Sequence, residues 1–355
     1  MIARMASPKR KTLPRDFEEL IAAADLDALK QVFDRCLLDA TTGPSKHTAL
    51  FFDTCPDELT RWLVEHGADV NALDMYQRTA LYERRSGTGI QLLVELGADV
   101  SAVDGQDATP LHHAAGLARF DAIRTLIRCG ADPHSRDRGG RTPLALALAS
   151  CSNAGIVATV AIAELLLGLG SMVDEAMRIR VRRIGEAFEF SRESFNPDRL
   201  DAADAALTRL YALFEVTPVP PLIRHDGLAR IEVQPGPWPT QYDDLWKLLV
   251  PATGSASTAQ GEAIRICGRL SREILDNGGI NWGASFRRMC DAMLAHLSSA
   301  TPLPPTDLDE VAGIVRSIRT GAGETNQLSR LTELTVRWVQ LNPTPVPRDT
   351  PADRP

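Results

Sequence analysis

Aromatic residues are scarce, at 5% of 355 positions. A compact α/β enzyme of this length draws more of its core from Phe, Tyr and Trp. Helices packed through Ala and Leu need fewer. The six cysteines, at 36, 55, 129, 151, 267 and 290, include no C-x-x-C pair, and their spacing offers no disulfide framework. They read as small buried apolar residues in a reducing compartment. Only five of the 39 basic residues are Lys, a codon-supply trait of GC-rich genomes. The formal charge is −7. Nucleic-acid binding needs excess cations to displace counterions, so no nucleic-acid partner is expected. The longest apolar run, residues 154–170, is short for a bilayer and carries Glu164, so it reads as a buried helix. The first fifteen residues, MIARMASPKRKTLPR, lack the apolar stretch of a secretory signal and read as a disordered basic arm. A cytoplasmic protein with no membrane partner is expected.

The catalytic signatures are missing too. There is no G-x-x-x-x-G-K-[ST], G-x-S-x-G or H-E-x-x-H. RTGAGET, residues 319–325, lacks the Lys of a phosphate loop and has no strand before it. His112 and His113 are adjacent, and neighbouring helix positions point about 100° apart, a poor arrangement for one shared metal ion. The carboxylate pairs Asp25/Asp27 and Asp201/Asp204 sit beside expected helix starts, where the helix dipole favours them. No enzyme activity, cofactor or metal is expected.

What the chain does have is a period. Gly-Ala-Asp occurs at 67–69, 97–99 and 130–132. Thr-x-Leu occurs at 48–50, 79–81, 109–111 and 142–144. The two marks stay in phase at intervals of 30 to 33 residues. Within the third copy, Thr109 suits a helix cap and Pro110 the first helical turn. Leu111, Ala114 and Ala115 lie on one helical face. Ile123, Leu126 and Ile127 form a second, and Gly130 ends that helix with positive φ. A single helix pair of this kind cannot bury its own faces, so the copies must stack. From Thr to closing Gly the copies span 19, 18, 21 and 28 residues. The first two therefore have trimmed helices, and the fourth carries extra residues near 150–160.

Thr109-Pro110-Leu111-His112-His113-Ala114-Ala115 resembles the ankyrin repeat signature. Thr142-Pro143-Leu144-Ala145 keeps part of it; Thr79-Ala80-Leu81-Tyr82 and Thr48-Ala49-Leu50-Phe51 are degenerate. Residues 22–33 resemble the second helix of an N-terminal capping repeat. The resemblance covers about 16–216 and implies an all-α fold, a solenoid of helix pairs. It also implies that His112 orients its turn by hydrogen bonding. Residues 174–190 and 200–214 read as a diverged C-terminal cap. MRIRVRRIG, 177–185, reads as a helix whose cations pair with Glu175, Glu186 and Glu189.

Residues 217–240 are rich in Pro and Gly and read as a linker with a short strand at 229–233. Five helices follow, near 241–250, 257–276, 284–298, 307–319 and 325–341, as a small all-α domain over 241–342. The tail, 343–355, reads as disordered. The stretch 252–282 resembles an extension found in bacterial ankyrin proteins of unassigned activity.

By the ankyrin resemblance the partner is a protein, gripped by turn tips and groove. The tips are Asp74, Met75, Tyr76 and Gln77, then Gln106 and Asp107, then Arg136, Arg138 and Arg141, a run from acidic to basic. The groove stripe is Phe52, Glu83, His113 and Leu146. One narrower expectation is an immunity or antagonist protein that binds a bacterial toxin or effector. The alternative is an enzyme whose helical C-terminal domain is catalytic while the stack recruits substrate. Its candidate site is Gln260, Glu262 and Arg265 capped by Trp282. Against it, Thr258 reads as a helix cap, Arg269 and Glu273 as an i,i+4 pair, and Trp282 as core. A third possibility, a pure scaffold, would hold two partners at once.

Overall fold

The structure, a computed structural model, describes residues 8–23, 25–321 and 323–348. Contacts divide these into two units, one holding residues up to 186 together with 197–218, the other holding 187–196 together with the residues from 219 onward.

In the first unit, strand β1 (Arg10–Thr12) pairs in parallel with β2 (Cys36–Thr41). Residues 10–12 were expected in a disordered arm. They are held instead by this ladder and by Lys9 Nζ donating to the Phe33 carbonyl at 2.7 Å. Residues 1–7 of that arm lie outside the described residues. Between the strands run α1 (Phe17–Ala23) and α2 (Leu26–Arg35). Then come α3 (Asp57–Glu65), α4 (Gly87–Glu95), α5 (Pro110–Gly116), α6 (Phe120–Arg128), α7 (Pro143–Ala149) and α8 (Ile156–Gly168). The helices α9 (Glu175–Ser191), of which residues from 187 on count with the second unit, and α10 (Pro197–Phe214) follow close to the expected bounds.

The repeat is visible atom by atom. Gly67, Gly97, Gly130 and Gly170 have φ of 100°, 98°, 96° and 86°. At each, the next residue's N–H bonds to the carbonyl five back, as in Ala98 to Leu93 and Ala131 to Leu126, both 2.9 Å. This is the glycine-terminated helix ending, and it needs a left-handed residue at that point. The first helix of each pair depends on its cap. The Thr109 hydroxyl accepts the His112 N–H and Thr142 accepts the Ala145 N–H, and each is followed by Pro. Thr48 and Thr79 make no such bond, and only 3₁₀ turns form there, Ala49–Phe51 and Ala80–Tyr82. In the second copy Arg84 fills the space of the missing turn. It is 2% exposed and donates to the carbonyls of Asp53 and Cys55 and to Thr60 Oγ1 at 3.1–3.3 Å.

The extra residues of the fourth copy form a 3₁₀ turn, Asn153–Gly155, that leads into α8. That apolar helix packs against α7 and α10, and its Glu164 pairs with Arg209 at 2.7 Å. Among the described residues no helix is long and apolar enough to cross a membrane. In α9, Met177, Val181 and Ile184 are buried. Arg178 reaches Glu175 and Glu215, both at 3.6 Å. Glu189, expected to pair within MRIRVRRIG, holds Arg192 at 2.7 Å instead.

The second unit contains α11 (Trp238–Leu249), α12 (Ala259–Leu275), α13 (Ala284–Leu297), α14 (Pro305–Ile318) and α15 (Thr325–Leu341). Helix α12 is central and packs against α11, α13 and α15. Trp338, Met289, Met293 and Leu331 are fully buried around it. Gly268 lets α11 approach, since a Cβ there would overlap the Trp246 ring and the Tyr242 hydroxyl.

Two expectations change here. Residues 229–233 form no strand; Ile231 is buried, with its N–H on the Pro343 carbonyl at 2.7 Å. The segment 343–348, expected in a disordered tail, is pinned: Val346 donates to Gln260 Oε1 and accepts from the Ala259 N–H. Residues 349–355 lie outside the described residues.

Candidate functional site

Each repeat begins with a turn stiffened by one aspartate. Asp74, Asp104 and Asp137 accept backbone N–H groups two and four residues on, such as Tyr76 and Arg78 for Asp74 at 2.7 and 2.9 Å. The residue two before each Thr takes positive φ: Lys46, Gln77, Asp107 and Gly140, between 57° and 73°. Neighbouring turns then bond to one another. Met75 N–H donates to Ser45, Gly105 to Tyr76, and Arg138 to Gln106, at 2.8–3.2 Å. The tips therefore form one row of fixed spacing.

A second bond joins repeats beneath the tips. His112 is fully buried; its Nδ1 accepts the Thr109 N–H at 3.1 Å, which leaves the proton on Nε2 to donate to the Arg141 carbonyl at 2.9 Å. Tyr82 takes the same position one repeat earlier, and its hydroxyl donates to the Ala108 carbonyl at 2.5 Å. The degenerate motif keeps the bond with different chemistry. Burial holds the His112 imidazole below its ordinary pKa, against the hydrogen bond to Arg141 and the charge of Asp137.

The expected tip residues sort into two kinds. Met75 and Tyr76 are just over half exposed, and Gln77, Gln106, Asp107, Arg136, Arg138 and Arg141 are exposed. Asp74 is not available to a partner: it is buried, and Arg78 holds it at 2.7 Å. Burial would push its carboxyl up, and the bonds from Arg78 outweigh this and hold it low. Asp107 is bonded to Arg138 at 3.2 Å. The row thus begins with apolar rather than acidic side chains, and of its three arginines Arg138 and Arg141 are paired with Asp107 and Asp137. The stripe residues Phe52, Glu83, His113 and Leu146 are all half-buried. Phe52 meets the Phe17 ring at 5.8 Å, Glu83 pairs with Arg78 at 3.0 Å, His113 lies 5.7 Å from the Tyr82 ring, and Leu146 packs over Gly116. Met75, Tyr76, Gln77, Gln106 and His113 come together around one cleft of roughly 370 Å³. Sequence reasoning missed Leu73 and Val103, 57% and 49% exposed. Both stand one place before the turn aspartate, so the repeat register itself held that signal.

The second candidate set does not assemble as expected. Gln260, Glu262 and Arg265 are buried together in the first two turns of α12. Arg265 donates to both Glu262 oxygens at 2.6 and 2.8 Å, and Glu262 also accepts the Ala256 N–H. Gln260 Nε2 donates to the carbonyls of Asn342 and Thr344. These groups tie the chain end to α12. Burial would raise the Glu262 carboxyl, but the bonds from Arg265 hold it low. Trp282 lies at the other end of α12, where Asn281 bonds to Glu273. Eleven residues separate Glu262 from Glu273, about 16 Å of helix. Trp282 stacks on Phe286 and donates to the Arg319 carbonyl, and it is half-exposed rather than core. Glu273 binds Asn277 and Asn281, not Arg269. Among the described residues no three His, Cys, Asp or Glu side chains gather as a metal site.

Stacked helix pairs with hydrogen-bonded tips define a repeat solenoid, a class of scaffold that presents a surface rather than a catalytic cleft. The family model for ankyrin repeats matches residues 84–174, in three copies. That stretch consists of ankyrin repeats, and ankyrin repeats are in general non-catalytic modules for protein interaction. The shared register of tips and closing glycines extends from Lys46 to Gly170. No curated protein matches the chain.

Proposed function

We propose that this chain is a non-catalytic binding protein that grips one partner polypeptide with the tip row and the adjoining groove. The observation that carries this is the exposed apolar surface of Leu73, Met75, Tyr76 and Val103, on tips locked in register beside Arg136, Arg138 and Arg141. Large apolar side chains left in water on a rigid row are the informative exception on a soluble surface. Aromatic, Met and Arg side chains are those enriched in protein interfaces. Six free thiols fit a reducing cytoplasm. An immunity or antagonist role is the narrower form of this reading, supported by the acidic net charge and the unequal stack.

The test is co-purification with mass spectrometry, comparing the native chain with a Met75→Asp/Tyr76→Asp variant. Both side chains are exposed, so folding survives while the apolar surface is lost. A stoichiometric protein that the variant loses supports the reading. Absence of any such protein, or equal retention by the variant, refutes it.

A further inference from the structure

A second cleft in the repeat unit, roughly 500 Å³, lies between the 134–141 turn and the start of α9. Three features distinguish it.

The first is charge. Arg136 and Arg180 line the cleft, and neither has a carboxylate partner among the described residues. Arg183 follows one helical turn after Arg180, on the same side of α9, and is exposed. Arg141 is already held by Asp137 at 2.7 Å. The acid in the lining, Asp174, is engaged in capping α9 through the Met177 N–H at 2.8 Å. In a chain of net charge −7, the mouth of this cleft is cationic.

The second is Ser171. After each closing glycine the repeats carry Ala68, Ala98 and Ala131, all buried. The fourth copy has Ser171 there, 8% exposed, its Oγ without a hydrogen-bond partner among the described residues, in the wall of the cleft. A buried hydroxyl left unpaired destabilises a fold by about 1–3 kcal/mol, so alanine is the better residue unless something else bonds to it.

The third is the apolar lining. Leu148 and Met177 are buried beneath, and Met172 stands at the mouth, 81% exposed. Met side chains reshape readily around an inserted group.

We propose that this cleft receives an acidic polypeptide segment bearing one aliphatic side chain. The aliphatic group enters over Leu148 and Met177. Its flanking carboxylates meet Arg136 and Arg180, and a backbone carbonyl of the segment accepts from Ser171. The volume falls within the roughly 300–1,000 Å³ of sites that enclose a ligand. A nucleic acid fits less well, because no Phe, Tyr or Trp lines the cleft to stack on a base, and His134 is the one ring in its lining. The proposal rests on the protein-binding reading and specifies the chemistry of one part of the partner.

The test uses the full chain and a fluorescein-labelled hexapeptide of Glu and Asp around a single Leu, read by fluorescence anisotropy. Saturable binding is expected. Arg136→Glu/Arg180→Glu should weaken it about tenfold or more, since two attractive surface charges become repulsive. Ser171→Ala, which keeps the fold by matching the other repeats, should weaken it about threefold, as loss of one modest hydrogen bond. A version with Gly for Leu should bind more weakly than the parent. Four results each overturn the proposal: no binding, equal binding of a Lys-for-acid peptide, indifference to both variants, or equal competition by inorganic phosphate or oligo-dT. A partner lost by Met75→Asp/Tyr76→Asp and retained by Arg136→Glu/Arg180→Glu overturns this proposal while leaving the broader reading intact. Absence of any partner in both experiments removes the broader reading.

Discussion

Replacing His112 by Ala removes two hydrogen bonds at once, one inside its repeat and one to the next. The Thr109 N–H loses its acceptor and the Arg141 carbonyl loses a donor. Each bond contributes about 1 kcal/mol net, and a buried N–H left unpaired adds about 1 kcal/mol or more. The expected destabilisation is roughly 2–4 kcal/mol, read by urea denaturation of the repeat unit's far-ultraviolet dichroism. An exposed control such as Leu117→Ala should stay within about 0.5 kcal/mol. Acid gives an independent check. Burial depresses the His112 imidazole, so the folded state binds fewer protons than the unfolded one. The stability tied to this group is full above the ordinary value of 6.5 and falls as the pH drops below it, down to the folded pKa. Each such group changes stability by at most about 1.4 kcal/mol per pH unit. His113 is depressed as well, chiefly by burial, and it remains in the variant. His112→Ala should therefore reduce the pH slope between neutrality and pH ~5 without abolishing it. A loss below about 0.5 kcal/mol with an unchanged slope would refute the view that this imidazole couples adjacent repeats.

Three further outcomes follow from the geometry. Gly130→Ala should destabilise by about 1–2 kcal/mol through backbone strain alone, since φ is 96° and a Cβ meets nothing within 4 Å; Gly168→Ala, with no positive φ and equally open space, should instead stabilise by up to about 1 kcal/mol in urea melts. Gly268→Ala should destabilise the second unit by about 1–3 kcal/mol by pushing α11 off α12, with a changed near-ultraviolet signal from Trp246. Arg265→Met should cost up to about 3 kcal/mol by removing the close partner of the buried Glu262 carboxylate and leaving it Arg348 at 3.6 Å, and Glu262→Gln/Arg265→Met should recover much of it; a phenotype lost in the double variant at full stability would count for a catalytic role of this cluster.

Much of the fold is readable from local chemistry. Glycines at 67, 97, 130 and 170 announce helix endings because only a residue without Cβ accepts that φ freely. Thr-Pro at 109 and 142 announces helix starts because hydroxyl and ring serve adjacent orphan positions. The five helices of the second unit fall within a few residues of their expected bounds because Pro and Gly punctuate them. The tip residues were half legible. Met75, Tyr76 and the three arginines are exposed as expected, while Asp74 is turned inward to hold the turn. An aspartate in a polar turn reads the same whether it faces water or its own backbone.

What the sequence by itself determined is the period, the helical pairs and the column positions, since each depends on residues within one repeat. Only the tertiary structure decided which groups remain unsatisfied. Among the described residues the Ser171 hydroxyl has no hydrogen-bond partner, Arg136 and Arg180 have no carboxylate partner at one cleft, and Gln260 is bonded to the chain end at 342–346. The reason is physical. Whether a polar group is free depends on what packs against it, and those neighbours arrive from other repeats or, for Gln260, from more than eighty residues away.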